Sequence, residues 1–156
     1  MTAITLETIK ARQDELAAMI AEFNANKSRT INLPVATIEL RPGEQYAGLV
    51  LNDDGAPSHH LVLMAARPDE RLAWQAANDW AAAVGGTLPT GREQSLIHAH
   101  CRAHIKHAWH WSSESFEEDA LRAGCCNFNY GYCGGEIKSF EFCAVAVRRI
   151  PIGGGV

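Results

Sequence analysis

Trp74-Gln75-Ala76-Ala77-Asn78-Asp79-Trp80-Ala81-Ala82-Ala83-Val84-Gly85-Gly86-Thr87-Leu88-Pro89-Thr90-Gly91-Arg92-Glu93-Gln94 holds one helix, its stop and the start of a second. Trp74, Ala77, Trp80, Ala81 and Val84 recur at helical spacing, and Gly85-Gly86 supplies the C-terminal cap. Leu88-Pro89 keeps the chain extended, because a proline ring disfavours helix at the residue before it. Thr90 and Glu93 then form a capping box, in which hydroxyl and carboxylate each satisfy an orphan amide. The second helix is expected to run to about His104, with Leu96, Ile97 and Cys101 turned inward.

Working outward, both flanks of this pair read as β. Tyr46–Leu51 and His59–Met64 are short apolar runs separated by Asn52-Asp53-Asp54-Gly55-Ala56-Pro57, strong turn chemistry that predicts a hairpin. Thr30–Leu40 is rich in β-branched residues, with Pro34 demoting part of it to an edge or bend. Downstream, Ala108–Ser113 predicts a tryptophan-bearing strand, Ser113–Asp119 a polar loop, and 120–136 a Gly- and aromatic-rich stretch. In Phe140–Ile150, Phe142, Ala144 and Ala146 share one face while Cys143, Val145 and Val147 share the other. Two apolar faces predict a strand central in its sheet. Strand and helix do not alternate, so the class is α+β.

Residues 4–24 read as an amphipathic helix. Leu6, Ile9, Gln13, Leu16, Ile20 and Phe23 follow steps of three and four, the spacing of a coiled-coil seam. Thr5 or Thr2 would cap its start, and Asn24 or Asn26 its end. A helix this short must bury its stripe somewhere, either on its own domain or on further copies of itself. A polar linker over 27–35, opening Lys27-Ser28-Arg29-Thr30, favours self-association, with a trimer ahead of a dimer. The organisation is then an oligomerisation or docking helix at 1–26, that linker, one domain at 36–150 and a tail at 151–156.

Composition narrows the function. A net charge of −4 and the lack of a dense Lys/Arg stripe point away from nucleic acid. No run reaches the ~18 apolar residues of a spanning helix, so membrane insertion is not expected. Glu7, Asp14 and Glu15 break up any signal-peptide pattern, so synthesis and folding in a cytoplasm are expected. The five cysteines are odd in number and lack CxxC spacing, which predicts reduced, partly buried thiols. Cys125 and Cys126, adjacent on a strand, would place one inside and one outside.

Two chemical readings need weighing. His98, His100, His104, His107 and His110 crowd one segment, and His100, His104 and His107 would share a face if the helix continued. No carboxylate accompanies them, so no metal or other cofactor is assigned. Cys101 beside His98 or His104 could suggest a nucleophilic thiol. It sits at an inward position without a third group, however, and a non-catalytic protein is the better expectation.

The quoted helices together with Trp109-x-Trp111-Ser112-Ser113-Glu114 and Ala146-Val147-Arg148-Arg149 resemble, in order and spacing over 36–150, a small-protein family common in phage and prophage genomes. Its domain is related to the C-type-lectin fold of phage tropism determinants and formylglycine-generating enzymes. The resemblance implies that the tryptophans are structural and that a long irregular region, about 112–137, faces a ligand. The EPN, QPD and WND motifs of calcium-dependent lectins are missing from this chain, and so is a clear counterpart of the enzymes' paired cysteines. Tyr and Asn suit a binding loop, giving amphipathic area at low entropic cost. Candidate ligand contacts are therefore Asn127, Asn129, Tyr130 and Tyr132, with His110, Ser115 and Glu117 beside them. If 127–132 is extended, Phe128, Tyr130 and Tyr132 share one face, and that face could equally complete the core. The implied protein is a virion or tail module of fibre or receptor-binding type, contacting a host surface or another virion protein. An intracellular effector that blocks a host defence protein is the alternative, and a metal- or thiol-dependent enzyme the remote one.

Overall fold

A computed structural model describes residues 4–27 and 36–153, and the chain divides into two compact units, 1–32 and 33–156. The expected linker after Lys27, the first six residues of the Thr30–Leu40 β segment and the last three tail residues lie outside the described residues. Among the described residues, no helix is long and apolar enough to cross a membrane.

The first unit contains α1, Leu6–Asn26. The Thr5 hydroxyl caps it by accepting from Thr8 N at 3.3 Å. The helix buries none of its residues: Leu6, Ile9, Leu16, Ile20 and Phe23 are 51–69% exposed.

The second unit is α+β, with two small antiparallel sheets. Strands β1 (Gln45–Leu51), β2 (Pro57–Leu63) and β6 (Val147–Pro151) form one sheet in the order β1-β2-β6. Strands β3 (Trp109–Ser115), β4 (Arg122–Asn127) and β5 (Tyr132–Ile137) form the other in sequence order. Helices α2 (Trp74–Ala83) and α3 (Gly91–His100) lie between them in sequence. The capping box at Thr90 and Glu93 is complete, and Gly85 sits at φ +84° where a side chain would be strained. The β1–β2 turn closes through Asn52 N–Ala56 O at 2.8 Å and an Asp54 carboxylate accepting from Ala56 N.

Two apolar cores flank one shared segment. Leu61, Leu63, Ile97, Phe128, Val145 and Val147 belong to the first; Ala77, Ala81, Leu88, Trp111, Ala144 and Ala146 belong to the second. The alternation read from 142–147 is therefore real, but its cause differs from that expected. Residues 140–146 are not a central strand. They run between the cores, held by Trp111 N–Cys143 O and Cys143 N–Trp109 O bonds, and only then enter β6 at a sheet edge.

Five other expectations are corrected. Residues 36–40 carry no strand. Helix α3 ends at His100, where the bonding tightens into a single 3-10 turn with His104 N donating to Cys101 O and Ile105 N to Arg102 O. The region 112–137, irregular on the family resemblance, instead holds the end of β3 and an ordered hairpin, β4–β5. Cys125 and Cys126 are both buried, because one faces each core. Cys126 is moreover joined to Cys133 in a disulfide, whereas Cys101, Cys125 and Cys143 are free and buried. The pairing was hidden in the sequence because it depends on hairpin register, which places Cys126 directly opposite Cys133.

Candidate functional site

The aromatic-polar segment Asn127–Tyr132 is the turn of the β4–β5 hairpin, so its side chains do not alternate as on an extended strand. Asn127 organises it locally: its side-chain oxygen accepts from Asn129 N at 2.9 Å and its carbonyl from Gly131 N at 2.7 Å. Phe128 N donates to Ala108 O, and the fully buried Phe128 ring meets His110 edge-on at 4.8 Å. Arg102, from the turn after α3, donates through Nε to Phe128 O at 3.1 Å and through Nη2 to Asn129 O at 2.9 Å. Gly131 has φ +74° and lies over the His98 ring, where an added Cβ would come within 3.0 Å. Backbone, guanidinium, core ring and disulfide all fasten this turn.

What it displays is Tyr130, 80% exposed, and Tyr132, 66% exposed. Tyr132 continues into half-buried aromatics, standing edge-on to Trp109, which stacks on Phe142. Phe128 does not share a surface with the tyrosines, as the extended reading would have it. The turn splits them, one ring inward and two outward.

No protein-family model matches this sequence, and no curated protein matches it.

The remaining candidates fall elsewhere. Ser115 pairs with Ala123 in the register, four residues along β4 from Asn127, so it lies about 13 Å away at the hairpin's other end; the exposed Glu117 follows β3. His110 is 2% exposed, and its Nδ1–H donates to Ala108 O at 3.0 Å. It is a core residue and leaves the exposed set, because β3 turns it toward Phe128. Beside Ser115 a cleft of about 250 Å³ opens between α3 and the β3–β4–β5 sheet, lined by Gly91, Ser112, Phe116, Gly124, Cys133 and Gly134 among others.

Of the other histidines in this segment, two hydrogen-bond to separate backbone carbonyls, while His98 Nε2 is buried without a hydrogen-bond partner. His100 Nδ1 donates to Ala47 O and His107 Nε2 to Arg102 O. Among the described residues no three of His, Cys, Asp and Glu converge to hold a metal.

A buried ionic centre that sequence reasoning missed lies at the start of α3, against the β1-β2-β6 sheet. Glu93, 1% exposed, accepts from Arg149 Nε at 2.6 Å and Nη2 at 2.8 Å, and from His59 Nε2 at 2.8 Å. Burial pushes its carboxyl up, but the Arg149 guanidinium, the Thr90 amide and His59 outweigh burial and hold it below the ordinary range. The α3 cap is thereby locked to β2 and β6. The capping box flagged Glu93; nothing local linked it to His59 or Arg149.

Proposed function

We propose that this chain is a non-catalytic binding module of a phage virion or tail, a C-type-lectin-like domain made multivalent by α1. The observation that carries the reading is the pair Tyr130 and Tyr132, largely exposed on a turn tied down at every other point. Large rings held rigid before contact lose little entropy on binding, which is how aromatic anchors come to dominate interfaces. The exposed seam of α1 supports the second half, since several copies of a weak site raise avidity without any new contact.

The test has two arms. Light scattering on the full chain is expected to give a homo-oligomer, a trimer ahead of a dimer, and a monomer after deletion of residues 1–26. Co-sedimentation of labelled protein with bacterial envelopes is expected to fall at least tenfold in Tyr130→Ala/Tyr132→Ala, on the scale of losing an interface anchor. A monomeric full chain, or a double variant that sediments like the parent, overturns the reading.

A further inference from the structure

We propose that Cys126–Cys133 is a thiol–disulfide exchange site for low-molecular-mass thiols, and that its state sets the order of the 127–132 turn. Only the consequence for partner binding rests on the function proposed above. The two cysteines face each other across β4 and β5 at the last pair but one before the turn, with Cα atoms 4.0 Å apart. They differ in access. Cys126 is 1% exposed in the first core, whereas Cys133 is exposed and also walls the cleft beside α3. Gly134 and Gly135 follow it, and the space a side chain would take there is filled by the Tyr132 and Phe116 rings, so access to Cys133 rests on its own exposure.

Access fixes the order of events. A small thiolate attacks Cys133 Sγ, forming a mixed disulfide there and breaking the Cys126–Cys133 bond. The electron pair leaves on Cys126 Sγ, which takes up a proton. A second small thiol then attacks the mixed disulfide, releasing the small-molecule disulfide and leaving Cys133 as a thiol. Two small thiols are oxidised and the protein gains two electrons and two protons. The nearby Cys125 does not compete, being buried and pushed up to about 11 by that burial, with Glu136 adding to it. Opening the bond leaves Phe128 in the core and Arg102 on its two carbonyls. The fold is therefore kept while the turn loses its covalent closure.

The experiment takes the full chain through a series of reduced-to-oxidised glutathione ratios, traps thiols with iodoacetamide in denaturant, and reads intact and peptide masses. Three alkylated cysteines are expected at the oxidised end and five at the reduced end, with the glutathione adduct at intermediate ratios on Cys133. Hydrogen exchange at 127–132 is expected to quicken about tenfold in the reduced chain, and likewise in Cys126→Ser/Cys133→Ser, with β2 unchanged. Five alkylated cysteines at the oxidised end, an adduct on another cysteine, or equal exchange in the two states overturns the proposal. None of these readouts needs a partner, so they fail independently of envelope binding.

Discussion

A neutral imidazole packs in a core at little cost until acid tries to charge it. Burial pushes His110 down to about 4, with Arg67 and Lys106 adding to the effect against its bond to Ala108 O. Its unfolded value is near 6.5, so between the two values the unfolded chain binds a proton that the folded one refuses. Stability from His110 is thus fully present above about pH 6.5 and drains as pH falls toward 4. Urea unfolding is expected to lose about 2 kcal/mol between pH 7.5 and pH 5, and His110→Phe to abolish most of that slope. A variant with the parent's slope would remove the assignment. Glu44 and Glu93, both held below 4.5, add their losses only further down the scale. For Glu44 the Arg148 guanidinium is the main cause. Glu93→Ala is expected to cost about 3 kcal/mol by denaturant titration at pH 7, since it strips His59 and Arg149 of their shared acceptor.

Among the elements, α3 depends on its first turn. Thr90→Ala removes the hydroxyl that accepts from Glu93 N and is expected to cost about 1 kcal/mol, measured as a shift in urea midpoint without a change in slope. Helix α1 depends on company: Leu16→Asn/Ile20→Asn is expected to lower its helicity by circular dichroism and make what remains independent of concentration. Elements governed by near neighbours were legible. The Thr90 box, the Asn52–Pro57 turn, the Gly85 stop and the Thr5-capped helix α1 are all set within a few residues, and local chemistry specifies them. The β4–β5 hairpin was not, because Gly124, Gly134, Gly135 and three cysteines give no alternation to read. Of the candidate site, Tyr130 and Tyr132 were proposed from composition, and both are exposed. His110 was misplaced, because only the packing of β3 against Phe128 shows which way its ring turns.

At the scale of the molecule, the two compact units should melt as two events. Calorimetry over a hundredfold range of concentration is expected to move the transition carried by α1 and leave that of 33–156 in place, as mass action requires when only one unit associates. A single transition that moves as a whole would contradict this. The run from Cys143 to Val147 has a bearing on biosynthesis. It completes both cores, yet ribosomes deliver it after nearly every other described residue. A chain truncated before Ala144 would carry two half-built, sticky interiors, and protease resistance should appear only in chains that extend through Val147.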